Sequence, residues 1–553
     1  MMMSLNTFRL ISRSIARSAL LLFCAVSMAT TQESGASTGE AASGITVTSK
    51  VSADQTRSKR RTPQKRARPS RRRTSARAAA APAPRFTTPR GLPALSTDLG
   101  TMLGSRVRNG TWGVIVVSLT RGDTLYSYNA DASLQPASNM KLYTAAVALD
   151  QFGPAHQFST DVLRDGETAL DGSLNGNLVL RGDGDPGLSG RFFENRPDAP
   201  MQLLAQRVFD AGIRRVNGDL IADATAFDAQ RIPDGWLSRY LQASYAARVS
   251  ALSLNENLAW VVVEPGAAKS PAVIRLEPAG DLPITNKVHT NLGSGARIAI
   301  FPTPNGGFEV RGWVGSRAGP QRYQVVVDNP AAFTASAFRN ALAKRGIIVS
   351  GNVRFDATPA GAMRVASLPS EPLTRLLSIM NRESVNHYAE LIFRNAARDA
   401  LIDQGRTAEP GLGSTETANA LLQRFMTEKV GAQPGAVHAA DGSGLSVLDR
   451  ASPRSLVQLL SHAHKAPWAD AFHASLPVAG ESEMLRNRMR YTPAQGNLHA
   501  KTGTTNTVIS LGGYVTTQDG DLLAFAFIYN GRDRWNARST IDQMGATLAG
   551  FVR

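Results

Sequence analysis

The fold of this chain can be read from "QPASNMKLYTAAVAL", residues 135–149, which has a helical pattern and one misplaced charge. Apolar residues at helical spacing predict a helix with a face in the core; they are Leu142, Ala145, Ala146 and Leu149. Pro136 favours a helix start, because the amide hydrogen that it lacks would have no partner there. Lys141 lies beside the apolar face, three residues after Ser138. A lone S-x-x-K is usually a surface lysine, so the rest of the chain must distinguish that from a buried amine beside a hydroxyl.

The positive charge of the chain is concentrated in one segment. The 553 residues carry a net charge of +17, and residues 50–90 hold +13 of it, with fourteen Lys or Arg against the single acidic residue Asp54. Residues 30–90 are rich in Ser, Thr, Arg, Ala and Pro, which predicts a disordered basic linker. This linker is either a solvated spacer or a contact for anionic lipid or wall polymers. Because the remainder is nearly neutral, most of the case for a nucleic-acid partner disappears.

The first 29 residues have the pattern of an export signal. Three arginines precede the apolar run "SALLLFCAVSMA" (18–29), and its last three residues offer a small-x-small cleavage site. The run is short for a membrane span. We therefore expect a signal peptide at 1–29 and a periplasmic protein. In one alternative the protein associates loosely with the membrane or wall, and in another a retained signal anchors it. The single cysteine, Cys24, lies inside the signal, so cleavage removes cysteine chemistry from the mature protein.

Both ends of the globular part predict β-hairpins. "GTWGVIVVSLTRGDTLYSYN" (110–129) has two β-rich runs around R-G-D, and "NTVISLGGYVTTQDGDLLAFAFIYNG" (506–531) has two around D-G. A helical pattern over 537–552 follows the second hairpin. Because helices flank both hairpins, we expect the two ends to share one antiparallel sheet. The predicted fold is α/β (α+β), with a core formed by residues 91–160 and 362–553.

The middle of the chain divides into two regions. Residues 161–361 contain short strands and turns with few helical runs, for example 201–213, and predict a β-rich insertion into the core. Residues 370–470 are mainly helical, and Ser452 followed by Pro453 is typical of a helix start. No metal site is predicted, since the eight histidines include no H-E-x-x-H. The chain also lacks the G-x-S-x-G elbow that presents a serine to a histidine base.

Two further motifs form an ordered set with S-x-x-K. K-T-G, at Lys501, Thr502 and Gly503, precedes the C-terminal hairpin on a predicted strand. An S-x-N runs from Ser384 to Asn386 at the junction of two predicted helices, and it is the only S-x-N in the helical region before K-T-G. Each motif arises by chance in chains of this length. The information lies in their order, and in their places on a helix start, a helix junction and a strand.

This ordered set resembles that of the penicillin-recognising serine acyl-transferases, which include penicillin-binding proteins and serine β-lactamases. Within that group the chain is similar to exported D-alanyl-D-alanine carboxypeptidases/endopeptidases, the low-molecular-mass class C penicillin-binding proteins. Matching passages between about 110 and 530 include "LVLRGDGDPGLS", "RRVNGDLIADATAFD", "NRESVNHYAELIFR", "DGSGLS" and "HAKTGTTNTV". Two positions depart from the family: Val385 stands where S-D-N has aspartate, and Glu483-Met484-Leu485 stand where G-T-L is usual.

The resemblance implies a DD-peptidase/β-lactamase-like core, with an antiparallel five-stranded sheet flanked by helices. It also implies a β-rich, two-module insertion between the first and second motifs. Ser138 would be the nucleophile, and Lys141 would be its base after burial has lowered the lysine pKa. Ser384 would relay the proton to the leaving D-alanine amine. The backbone amides of Ser138 and Thr504 would form the oxyanion hole.

The remaining motif residues would bind substrate. Asn386 would hold the substrate amide and the amine of the base, while Lys501 and Thr502 would bind the terminal carboxylate. Gly503 would leave room for the backbone beside the site. The implied substrates are peptidoglycan peptides that end in D-Ala-D-Ala or carry D-amino-acid cross-links, with β-lactams as inhibitors and no metal or organic cofactor.

Two other functions are compatible with parts of the sequence. A serine β-lactamase would use the same three motifs, but the long insertion and the lack of a recognisable deacylating glutamate signal count against it. A non-catalytic wall-binding protein would account for the basic linker, but the intact set of Ser138, Lys141, Ser384 and Lys501 counts against it.

Overall fold

The two ends of the globular part meet in one sheet, as the hairpin patterns predict. The computed structural model describes residues 45–46, 86–105, 107, 109–406 and 409–553. Five strands form an entirely antiparallel sheet in the spatial order His499–Thr504, Val508–Thr516, Leu522–Asn530, Thr111–Ser118 and Thr124–Tyr128. The mixed α/β fold with this five-stranded sheet is therefore confirmed.

Alternating side chains of this sheet are buried on both of its faces. Phe525 and Phe527 pack on one face, together with helices Leu92–Ser105 and Arg534–Ala549. Ala524 and Ala526 face the other way, into a helical layer. A strand whose successive side chains are all buried must lie between two packed layers. Helix Leu92–Ser105 was not predicted from the sequence, and helix Arg534–Ala549 lies three residues earlier than the predicted 537–552.

The helical layer contains the helix of the opening stretch. Its α-helices are Met140–Phe152, Leu373–Arg382, Asn386–Asp403, Thr415–Arg424, Pro453–Lys465 and Ala469–Ala474, and the fourth continues into a π-turn at Phe425–Lys429. Every residue from Met140 to Leu149 is buried. The amphipathic pattern predicted there is therefore wrong, because a helix enclosed by neighbours on all sides has no solvent face. Ser452 caps its helix as predicted, with its side chain accepting from the Ser455 amide.

The insertion contains two β-rich modules. The first is a mixed seven-stranded sheet with helices Ala199–Asp210 and Pro330–Lys344, and its strands are Ser159–Thr168, Ser173–Gly182, Arg215–Val216, Leu220–Asp223, Ile348–Val349, Val353–Phe355 and Met363–Pro369. The last of these strands lies beyond the predicted boundary at residue 361 and pairs with Ser159–Thr168. The insertion therefore extends further along the chain than the composition indicates.

The second module interrupts the first and packs two small sheets around its own apolar cluster. Its strands are Leu258–Glu264, Val273–Glu277, Ile284–Asn291, Ala296–Pro302, Phe308–Gly315 and Gln321–Val326. One of the two sheets has four strands, and the short strand Ile45–Thr46 is its edge strand, paired with Ile300 and Ala299. A further two-stranded pair, Val437–His438 with Arg450–Ala451, lies in the helical part of the core.

Most of the predicted signal and linker lies outside the described residues. Residues 86–90, assigned to the linker, pack on the core instead: Phe86 contacts its apolar cluster, and the Thr87 amide donates to Thr547 Oγ1 at 3.1 Å. Within the described ranges, no helix is both long enough and apolar enough to span a membrane.

Candidate active site

Ser138 lies in a tight turn that leads into the buried helix. The turn Ala137–Asn139 is a 3-10 helix, and the α-helix begins only at Met140. The prediction that Pro136 opens the α-helix is therefore wrong by one turn, because Ala137 has a φ of +48° that an α-helix cannot contain. The Pro136 carbonyl accepts from Ser510 Oγ at 2.7 Å. This bond ties the serine turn to the central sheet and leaves Ser138 half-buried at the end of the helix.

Lys141 is fully buried, and its amine has three partners. Lys141 Nζ lies 3.1 Å from Ser138 Oγ, 2.6 Å from Asn386 Oδ1 and 2.7 Å from the Ser443 carbonyl oxygen. The last two partners can only accept, so they take two N–H groups. A neutral amine would then direct its lone pair at the Ser138 hydroxyl, which is the arrangement that a general base needs.

Burial favours that neutral form of Lys141. Removal from water lowers its pKa to about 8, while the carboxyls of Asp441, Glu390 and Asp449 limit the fall. At pH 7 a group with this pKa is neutral in about one molecule in ten, whereas an ordinary lysine is neutral in fewer than one in a thousand. Burial therefore gives this lysine an appreciable neutral fraction near neutral pH.

Ser384 lies in the turn between two helices, as predicted. It follows helix Leu373–Arg382 and precedes helix Asn386–Asp403, with a φ of +63°. Its Oγ accepts from Lys501 Nζ at 3.0 Å. Lys501 is fully buried on strand His499–Thr504, and burial, then the nearby charge of Lys141, lowers its pKa well below the ordinary value. The S-x-N and K-T-G motifs are thus in direct contact.

Asn386 links Lys141 to the insertion. While its Oδ1 accepts from Lys141, its Nδ2 donates to the backbone carbonyl of Tyr245 at 2.8 Å. Tyr245 belongs to the insertion, and its side chain remains about half exposed. The amide group of Asn386 is therefore fixed from both sides, with its oxygen toward the Lys141 amine.

The K-T-G strand approaches the serine turn closely. A Cβ added to Gly503 would meet Ser510 Oγ at 2.1 Å and the Pro136 carbonyl oxygen at 2.8 Å, so only glycine fits there. Thr502 is half-buried, and its carbonyl accepts from Lys501 Nζ at 2.9 Å. Thr504 ends the strand and is exposed. The three motifs thus lie together in one site, as the sequence predicts.

The loop that presents the Ser443 carbonyl is a functional element that the sequence analysis missed. Four donors converge on the buried Asp441 carboxylate, from the amides of Ser443, Gly444 and Ser446 and from Trp236 Nε1. A Cβ on Gly444, whose φ is +83°, would lie 1.9 Å from the Ala137 carbonyl oxygen. The signal was present in "DGSGLS" as an acidic residue that can accept from the amides of a following glycine turn.

Two further carboxyls are buried near this loop. Glu390 Oε2 accepts from the Gly442 amide at 3.2 Å, and burial followed by Asp441 raises the Glu390 pKa to about 8. Asp449 Oδ1 accepts from the Ala440 amide at 2.8 Å, and burial raises the Asp449 pKa well above its ordinary value. Glu390 is therefore largely protonated at neutral pH, which keeps the charge beneath Lys141 small.

Most of the chain is similar in sequence to known proteins. The sequence profile of the D-Ala-D-Ala carboxypeptidase 3 (S13) family matches residues 100–550. A D-alanyl-D-alanine carboxypeptidase from Actinomadura sp. (strain R39) is 34% identical over 457 residues, which cover 80% of this chain and 81% of the relative. The D-alanyl-D-alanine carboxypeptidase DacB of Haemophilus influenzae is 27% identical over 76% of this chain and 85% of its own.

Solved structures show the same fold. Penicillin binding protein 4 (dacB) from Haemophilus influenzae superposes with a TM-score of 0.68 at 23% identity, over 82% of this chain and 98% of that protein. A second structure of that protein, complexed with a β-lactam, superposes with a TM-score of 0.64 over 81% of this chain.

Proposed function

The chain belongs to the D-Ala-D-Ala carboxypeptidase 3 (S13) family and is a serine D-Ala-D-Ala peptidase of the low-molecular-mass class C penicillin-binding proteins, and on that premise we propose how its residues carry out the reaction. Ser138 is the nucleophile and Lys141 is its base. The observation that carries this assignment is the set of partners around Lys141 Nζ, where two acceptors leave the lone pair of a neutral amine for Ser138 Oγ at 3.1 Å.

Acylation moves one proton from the nucleophile to the leaving group. Ser138 Oγ attacks the carbonyl carbon of the penultimate D-alanine as Lys141 takes its proton. Collapse of the tetrahedral intermediate breaks the C–N bond, and the D-alanine amine leaves with a proton that Ser384 relays. The contact between Ser384 Oγ and Lys501 Nζ supports this relay, since a hydroxyl held by an N–H donor has its lone pairs and proton oriented. Water then hydrolyses the acyl-enzyme.

The site also supports recognition of a terminal carboxylate. Lys501 is buried and lies beside a second buried amine, so an arriving carboxylate would favour its ammonium form and gain a charge-assisted hydrogen bond. We assign Thr502 to the same carboxylate, and Gly503 to close passage of the strand beside the substrate. The amides of Ser138 and Thr504 would receive the developing oxyanion.

The substrates that we propose are peptidoglycan peptides with a D-Ala-D-Ala end or a D-amino-acid cross-link. β-Lactams would acylate Ser138 as mimics of this end, a proposal supported by the β-lactam complex of the similar Haemophilus influenzae protein. Such substrates require export, so we propose a periplasmic protein whose first 29 residues form the signal. The basic segment 50–90 would then contact anionic membrane or wall polymers.

Release of D-alanine from a synthetic peptide that ends in D-Ala-D-Ala tests the assignment. Ser138→Ala and Lys141→Ala should each abolish release while thermal unfolding remains cooperative. Lys429→Ala is the matched control, because Lys429 is an exposed lysine paired with Asp150 and should leave the rate unchanged. Release of D-alanine by Ser138→Ala at the wild-type rate would disprove the assignment of Ser138 as the nucleophile. Release by Lys141→Ala at that rate would disprove the assignment of Lys141 as the base.

A further inference from the structure

The two residues that precede Ser384 form ion pairs that run to different parts of the molecule. Arg382 Nε lies 3.0 Å from Glu483 Oε2, in the segment that leads to the K-T-G strand. Glu383 Oε2 lies 2.8 Å from a guanidinium nitrogen of Arg191, which belongs to the insertion. The two residues that precede Ser384, one basic and one acidic, are thus each anchored outside the turn.

The backbone of Ser384 needs such anchoring. Its φ of +63° lies in the left-handed region, which a residue with a Cβ adopts at a cost. Conformations of this kind persist only where the surrounding structure imposes them. A small rotation of the turn toward ordinary backbone angles would carry Ser384 Oγ away from Lys501 Nζ, which it now meets at 3.0 Å.

Arg191 is itself held firmly by the insertion. It lies in the 3-10 turn Gly190–Phe192, where the Gly190 amide donates to Asn255 Oδ1 at 2.7 Å. Its Nε lies 3.2 Å from Oε1 of the largely buried Glu256. With Nε committed to Glu256, the planar guanidinium presents another nitrogen to Glu383 in a fixed direction.

We propose that Arg191 is a positioning residue, through which the insertion holds the Glu383–Ser384 turn in the conformation that directs Ser384 Oγ at Lys501. This inference rests on the proton relay proposed above for Ser384. It gives the insertion a part in the acylation step although Arg191 touches no reacting atom. Lysine can replace Arg191 only in part, because one ammonium does not reproduce the two-sided contact with Glu256 and Glu383.

The test is acylation of the full chain by a fluorescent penicillin, measured by stopped flow to separate the limiting rate from the dissociation constant. Arg191→Gln and Glu383→Gln should each lower the limiting rate by about threefold to fivefold, the scale of a partly exposed ion pair. The dissociation constant should remain within twofold. The double variant should be no slower than the slower single variant, because both remove the Arg191–Glu383 contact. Arg191→Lys should recover only part of the loss.

Arg398→Gln is the matched control. Arg398 also pairs the core with the insertion, at Asp183, with side-chain exposures of 29% and 35% against 31% and 43% for Arg191 and Glu383. It should lower thermal stability as Arg191→Gln does, yet leave the limiting rate unchanged. Salt at 1 M should lower the limiting rate of the wild type toward that of Arg191→Gln, and it should leave the limiting rate of that variant unchanged.

Two results would overturn the inference: a limiting rate for Arg191→Gln equal to that of Arg398→Gln, or losses in the two single variants that multiply in the double. Ser384→Ala separates this failure from failure of the proposed mechanism. If Ser384→Ala is slow while Arg191→Gln is normal, the relay stands and only the positioning role is wrong. If Ser384→Ala acylates at the wild-type rate, the relay itself is contradicted, together with the positioning role that depends on it.

Discussion

The pH dependence of acylation follows from the burial of Lys141. Burial lowers the pKa of this lysine to about 8, and only the neutral amine can take a proton from Ser138. The rate should therefore rise with pH below that value and level off above it. From pH 6 to pH 8 the neutral fraction grows from about one hundredth to about one half, which predicts a rise of about fiftyfold. From pH 8 to pH 10 the same relation leaves only about a twofold increase.

Glu390→Gln provides the matched perturbation. The Glu390 carboxyl raises the pKa of Lys141, so its replacement by a neutral amide should move the midpoint of the profile to lower pH. The shift should be less than one unit, because Asp441 and Asp449 remain in place and Glu390, with a pKa of about 8, is itself only partly ionised there.

The assay is the second-order rate of acylation by a penicillin, measured between pH 5.5 and pH 10 in buffers of constant ionic strength. Thermal unfolding at each pH excludes loss of the folded protein. A logarithmic rate that continues to rise steeply from pH 8 to pH 10 would mean that Lys141 keeps an ordinary pKa. A rate that is constant from pH 6 to pH 8 would mean that Lys141 is not the base.

Three further predictions concern the loop beneath the base and the carboxylate site. Asp441→Asn should lower the free energy of unfolding, measured in urea, by about 3 to 6 kcal/mol, because two of the four donors would meet an amide N–H₂. A decrease below about 1 kcal/mol would contradict this prediction. Gly444→Ala should slow acylation more than tenfold, since its Cβ would meet the Ala137 carbonyl. Gly361→Ala is the control, because Gly361 has a similar φ of +85° but open space around it, and this variant should acylate at the wild-type rate. Equal rates in the two variants would refute the steric argument. Wild-type enzyme should prefer a D-Ala-D-Ala peptide acid over its amide, and Lys501→Gln should lose about tenfold or more of that preference in kcat/KM; an unchanged preference would place the carboxylate elsewhere.

The core and the motif residues could be predicted from the sequence because their signals are local. The hairpins have β-rich runs around short turns, and Ser138, Ser384 and Lys501 occupy a helix start, a helix junction and a strand. The order of the three motifs then implied their contact, which the 3.1 Å and 3.0 Å distances at Lys141 and Lys501 agree with.

The supporting contacts could not be predicted, since they join backbone groups and segments far apart in sequence. The carbonyls of Ser443 and Tyr245 carry no side-chain signal, yet one holds Lys141 and the other holds Asn386. The all-round burial of the first helix depends on helices that come hundreds of residues later. The left-handed backbone of Ser384 likewise depends on its tertiary surroundings rather than on local preference.

The most direct test of the account is to map the penicillin adduct by mass spectrometry. Intact protein is incubated with a penicillin, digested, and its peptides are compared with those of Ser138→Ala and Lys141→Ala. The account predicts one penicilloyl group on Ser138 in the wild type and none in either variant at the same time point. An adduct on another residue, or an adduct on Ser138 that forms at the wild-type rate in Lys141→Ala, would contradict it.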